Sequence, residues 1–140
     1  MLRNLPALIA LDHGRDAALF AMRLATGVFL IEGVLDNVLS AARMAEFAGF
    51  MTANGFPAAT ILAPFSVYTQ CAIGVALIVG LLTRWAAMGM IATFVVGIAM
   101  VHLNRSLREI WPALALVVIG MVLATHGAGR WSLDALSSHR

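Results

Sequence analysis

The chain has 140 residues, of which 61% are hydrophobic and only 11% charged, with a mean hydropathy of +0.92. A soluble domain covers its surface with roughly 25% charged residues, so this composition excludes an ordinary water-soluble fold and points to lipid as the surrounding solvent. A formal net charge of +2, with every non-histidine cation an arginine, leaves no nucleic-acid footprint, and the single cysteine, Cys71, excludes an intrachain disulfide or a C-x-x-C redox pair.

Residues 1–16 hold a short apolar run, Leu5–Leu11, interrupted by Pro6 and followed by Asp12, His13, Arg15 and Asp16. A cleavable signal needs small residues after its apolar core, so this segment is expected to be an interfacial lead-in. Ala17–Leu39 exceeds the roughly 20 apolar residues that span a bilayer at ~1.5 Å each, although it carries Arg23, Glu32 and Asp36. It lacks strand alternation, and an open sheet edge cannot face lipid; a transmembrane helix is expected. Residues 40–54 combine Ala41, Ala42, Met44, Ala45, Phe47 and Ala48 with Arg43 and Glu46 and predict a short amphipathic helix at one membrane face. The turn signal Asn54-Gly55-Phe56-Pro57 then opens a second span at 58–82. A third is expected at 85–104 and a fourth at 109–126, followed by a tail, 127–140. The fold class read from the sequence is all-α: an integral membrane four-helix bundle with a short amphipathic helix between the first two spans.

Four spans place both termini on one side, with Arg3, Arg15, Arg84, Arg130 and Arg140; the other side holds Arg43, Arg105 and Arg108. The positive-inside rule makes the termini cytoplasmic. Trp85, Trp111 and Trp131 fall near span ends, where indoles prefer to sit. Small residues let helices approach closely in lipid, and two stripes have that character. One is Glu109, Ala113, Leu116, Gly120, Leu123 and Gly127; the other is Ala63, Ser66, Gln70 and Gly74.

Glu32 and Asp36 are one turn apart in the outer half of the first span. His102 ends the third and Glu109 opens the fourth at the same depth, with Gln70 deeper. A charge at mid-bilayer costs about 2.5–3.5 kcal/mol even on the mildest scale. The expected solution is an outward-facing polar pocket of Glu32, Asp36, His102 and Glu109, with Gln70 at its floor. The plainer alternative puts Asp36 and Glu109 at the water interface, or neutralises them with Arg105 or Arg108. Such a pocket suits a quinone carbonyl protonated by His102 or Glu109, or a metal ion. The spacing matches no metal motif, and no catalytic triad, phosphate loop or dinucleotide fingerprint occurs.

The tail Gly127-Ala-Gly-Arg-Trp-Ser-Leu-Asp-Ala-Leu136 resembles the terminal signature of the DoxX family of small bacterial membrane proteins. In the same order, Arg23–Gly33 is similar to that family's first-helix pattern, Asn54–Pro57 to its Gly-x-Pro turn, Gly74–Arg84 to its second-helix end, and His102 with Glu109 to a His and Glu around its third loop. Asp36 stands where the family often has Lys, and Gln70 where Glu is common. The resemblance implies a four-helix bundle in the bacterial inner membrane. It also implies a link to quinone-coupled redox systems, and the first reading is an accessory subunit of such a system with a quinone as the carrier bound; the competing readings are a scaffold that anchors a soluble partner and, third, metal or solute handling. Lipid, a quinone, and a redox-complex protein or second copy are the partners expected. In the tail, Gly127 and Gly129 can end the fourth helix, Arg130 and Trp131 suit the headgroup layer, and Ser132 with Asp134 can cap a short helix. Together with Arg23 they are expected to lock the cytoplasmic end of the bundle.

Overall fold

A computed structural model describes residue 11 and residues 14–137; the expectations for residues 1–10, 12, 13 and 138–140 lie outside them. Within these, the chain is helical, with no strand among the described residues. Helix α1 is Arg15–Leu39, α2 Ala41–Ala53, α3 Ala59–Val79, and α4 Thr83–Gly97, which runs on into a π-helical turn, Ile98–His102. After a short corner come α5, Leu107–His126, and the five-residue α6, Leu133–Ser137. Four stretches, Arg15–Leu39, Ala59–Val79, Thr83–His102 and Leu107–His126, are long and apolar enough to cross a membrane. At ~1.5 Å per residue, each reaches about 30 Å or more, the thickness of the hydrocarbon layer.

The span limits differ from the sequence expectation by a turn or less, and the differences have local causes. The second span stops at Val79 instead of residue 82, because Gly80 takes a left-handed conformation (φ 69°) and Leu82 follows with φ 49°. Glycine adopts that geometry without a steric penalty. The third span starts at Thr83 instead of residue 85, because a carboxylate from the tail caps it. Leu82 has no side chain that can accept a hydrogen bond, and Asp134 takes the role: Oδ1 accepts from the Leu82 N–H at 2.7 Å and Oδ2 from the Thr83 N–H at 2.9 Å.

Helix α1 lies along α3, and α5 along α4; the two pairs meet chiefly between α3 and α4, and α1 scarcely touches α5. The buried stripe of α1 is Leu19, Arg23, Thr26, Gly27, Leu30 and Val34, a helical spacing that defines one face. The expected stripe of α5 is buried at Leu116, Gly120 and Leu123, and that of α3 at Ala63 and Gly74. These faces meet in a core of Leu19, Leu30, Ile73, Leu77, Ala87, Met90 and Leu123. Helix α2 adds a smaller cluster, in which Met51 packs on Ala59 and Ala63 of α3. Outward, Phe29, Ile61, Phe65, Trp85, Met88, Val118 and Met121 are exposed, an apolar exterior of the kind lipid covers.

The tail is fastened at three places. Arg23 is fully buried; its Nη1 donates to the Leu77 carbonyl at 3.1 Å and its Nη2 to the Trp131 carbonyl. Asp16 accepts from the Arg130 N–H at 3.0 Å. The Asp134 N–H donates to the Gly80 carbonyl at 2.9 Å while its carboxylate caps α4. Trp131 packs edge-on against Phe20, with centroids 5.8 Å apart, and the Arg23 guanidinium lies 5.7 Å from the same ring. Gly127 and Gly129 both have positive φ (75° and 77°), and Gly127 closes α5 through its N–H to the Leu123 carbonyl.

Candidate functional site

The polar residues expected to share one pocket are distributed over three surroundings. Glu32 is exposed, as is Asp36. Both lie off the buried stripe of α1, since Glu32 is two residues, or about 200° of helix, from Leu30. The packed face of this helix is set by Arg23, Gly27 and Leu30, and the carboxylates therefore face outward. Asp36 borders a shallow depression of about 310 Å3 with Asn37, Arg43, Glu46, Phe47 and Phe50. Beside it, the Asn37 amide donates to the Arg43 carbonyl and Arg43 pairs with Glu46 at 3.1 Å. Glu109 is exposed in the first turn of α5, where it pairs with Arg105 at 3.3 Å and accepts from the Ser106 hydroxyl. The plainer sequence reading of Glu109, neutralisation by Arg105, is the arrangement found.

Gln70 and His102 do come together. Both line a cavity of about 450 Å3 walled by α2, α3, α4 and α5. Five of the seven phenylalanines line it, Phe47, Phe50, Phe56, Phe65 and Phe94, with Met51 and Leu62; the polar contributions come from Ser66, Thr69, Gln70, Thr93 and His102. Phe65 of α3, Val96 of α4 and Phe50 of α2 line it and are also exposed at the outer surface. The cavity thus opens sideways between α3 and α4. Phe65 and Val96 each lie six residues from the α2-side end of their span, about 9 Å along the axis, so the mouth is at hydrocarbon depth.

Local structure sets which polar atoms remain free. The π-helical turn leaves the i→i−4 ladder beyond Gly97, and such turns often occur at functional positions. His102 Nδ1 lies 3.4 Å from the Gly97 carbonyl. A carbonyl only accepts, so this contact is a hydrogen bond only when Nδ1 carries a proton, the tautomer that leaves Nε2 as an acceptor. The Gln70 amide nitrogen donates to the Leu30 carbonyl at 3.2 Å, which leaves its Oε1 as an acceptor. Thr93 donates to the Gly89 carbonyl at 2.9 Å, and its oxygen retains lone pairs. An apolar chamber with a few acceptors suits a flat or chain-bearing apolar molecule with hydroxyl groups. Among the described residues, no three His, Cys, Asp or Glu side chains converge as a metal site would require.

Sequence reasoning missed the phenylalanines and Thr93. The signal present was the density of aromatics, with four phenylalanines between Phe47 and Phe65. Thr93 gives none, because its place depends on how α4 is rotated.

A family model described as DoxX matches residues 18–103. No curated protein and no solved structure matches the chain.

Proposed function

The chain belongs to the DoxX family, and from that premise we propose that this multi-pass membrane protein is an accessory subunit of a redox system that binds a lipid-soluble quinol or quinone. The observation that carries the reading is the lateral cavity, lined by five phenylalanines and reaching His102 and Gln70. The ring of an isoprenoid-tailed quinone enters such a chamber from the hydrocarbon layer without crossing water. When the carrier is reduced, its hydroxyls donate to His102 Nε2 and Gln70 Oε1; when it is oxidised, an imidazolium at His102 donates to a carbonyl. Reduction of a quinone to its quinol takes two electrons and two protons: in this reading His102 exchanges one proton, the second passes to or from water at the span end, and both electrons belong to a partner subunit.

Native mass spectrometry of the detergent-extracted protein tests this directly. The wild-type protein is expected to retain one quinone-type molecule, and His102→Leu to bind a short-chain quinol about tenfold more weakly, the effect of one lost hydrogen bond. Wild-type protein that carries no quinone, and whose thermal unfolding is insensitive to added quinol, removes the reading.

Glu32 favours a second reading, an adaptor that anchors another chain. Its exposed carboxylate lies seven residues, about 10 Å, from the end of α1, a depth where lipid is a costly neighbour. A companion chain or a second copy covers it in this reading. The same spectrum decides: a single bare chain whose mass is unaccompanied in mild detergent counts against the adaptor.

We place the protein in the bacterial inner membrane with its tail end in the cytoplasm. The support is the count of arginines that the positive-inside rule reads, Arg3, Arg15, Arg84, Arg130 and Arg140 on the tail side against Arg43, Arg105 and Arg108 on the other. Alkaline phosphatase fused after residue 140 is expected to be inactive; an active fusion reverses the orientation.

A further inference from the structure

We infer that the tail end of the bundle holds a second site, a cavity that binds a phosphate-type oxyanion. It is independent of the quinone reading and lies at the opposite end of the spans. The cavity is an open one of about 910 Å3, bordered by the start of α1, the α3–α4 corner and residues 126–135. Each of these three segments contributes one guanidinium to it: Arg15, Arg84 and Arg130. Among the described residues, none of the three forms an ion pair; at the other end Arg43 and Arg105 each do and only Arg108 does not.

The two acids in the cavity do not serve the arginines. Asp16 accepts from the backbone N–H of Arg130, and Asp134 from those of Leu82 and Thr83. Both carboxylates are committed to holding the chain, and among the described residues no acid pairs with the guanidinium forks. Thr83, fully buried in the cavity wall, has a hydroxyl with no partner among the described residues. Guanidiniums from three separate segments, none in an ion pair among the described residues, are the donor set that an oxyanion with several acceptor oxygens matches, and arginine does so through paired, charge-assisted bonds. Trp85 and Trp131 are exposed at this end, the level at which indoles meet lipid head groups. The oxyanion is a phosphate, supplied by an anionic lipid head group or by a soluble phosphate.

The test uses the full chain in neutral detergent after delipidation. Native mass spectrometry follows binding of phosphatidylglycerol and of phosphatidylcholine, and thermal unfolding is recorded with inorganic phosphate against chloride at equal ionic strength. One phosphatidylglycerol is expected to bind about tenfold more tightly than phosphatidylcholine, and about tenfold more weakly to Arg84→Gln or Arg130→Gln. Arg43→Gln, at the other end, is expected to leave binding unchanged, and Arg84→Lys, which keeps the charge without the fork, to fall between. Stabilisation by inorganic phosphate without a lipid preference supports the site with a soluble source. Absence of both effects overturns it. So does a loss in Arg43→Gln equal to that in Arg84→Gln, which indicates diffuse attraction to the surface only. A variant that elutes or melts abnormally is replaced in the comparison by Arg84→Lys, for which binding equal to wild type also overturns the site.

Discussion

Arg23→Met is expected to release the tail and destabilise the protein by about 3 kcal/mol. The side chain is fully buried and donates to the carbonyls of Leu77 and Trp131. Leu77 is in the last turn of α3, where carbonyls lack intrahelical partners, and the N–H groups of Gly80 and Leu81 both go to Ala76 instead. Methionine fills a similar volume but leaves both carbonyls without their guanidinium donor. Each orphaned buried group costs about 1–3 kcal/mol, and removing a buried charge recovers part of that loss. The net sign remains destabilising because the contact also joins α1 to the tail. Thermal unfolding in detergent and protease cleavage within residues 128–137 report the two effects separately. Unchanged melting together with an uncut tail would show that Arg23 is a bystander. Arg23→Lys, with a compact ammonium in place of a fork, is expected to keep one carbonyl and lose the other.

Gly27→Ala is expected to cost about 2–3 kcal/mol, in the range of overpacked cores. A Cβ there would lie 2.6 Å from the Gly74 carbonyl oxygen and 2.6 Å from Ile78 Cγ1. The isoleucine can rotate away; the carbonyl belongs to the backbone of α3 and cannot move unless the helices separate. The contact is reciprocal, since a Cβ on Gly74 would lie 2.8 Å from the Gly27 oxygen and 2.7 Å from Ile31 Cγ1. Close backbone approach of this kind is what small residues provide in lipid. Gly49 is the control: a Cβ there meets nothing within 4 Å, and alanine is expected to leave stability equal or slightly raised. If Gly27→Ala melts together with Gly49→Ala, the α1–α3 crossing is looser than described.

The four spans were legible because hydropathy and breaks in charge do not depend on which way a helix faces. The seating of α1 was not, because its charges lie on opposite faces, Arg23 on one and Glu32 with Asp36 on the other, and hydrophobic patterning does not decide which face goes inside. The cost of carboxylates in lipid favours Glu32 and Asp36 on the inner face. The competing consideration won: Gly27 permits the closest approach to α3, and whatever shares its face goes inside. Arg23 shares it. Its placement opposite the acids and toward the tail was readable from spacing, and the carbonyls it bonds were not, since they belong to the end of α3 and to a tail whose path depends on Asp134. Gln70 was placed in the inward stripe of α3 by small-residue spacing alone. His102 was picked out by its chemistry, but its surroundings were not, because a π-helical turn has no recognisable signature in side-chain pattern.

That turn also changes how positions along the chain correspond. Each residue of an α-helix advances the phase by about 100°, and one π turn inserts an additional residue, hence about one such step. Counting from Met90, buried in the core, a continuous α-helix brings the residue eleven places on, Val101, back to the same side. The inserted step passes that seat to His102. A relative whose third span is regular therefore presents its equivalent inward residue one position earlier, and comparing the two chains number by number beyond Gly97 would pair an imidazole with a residue that occupies a different side of the helix.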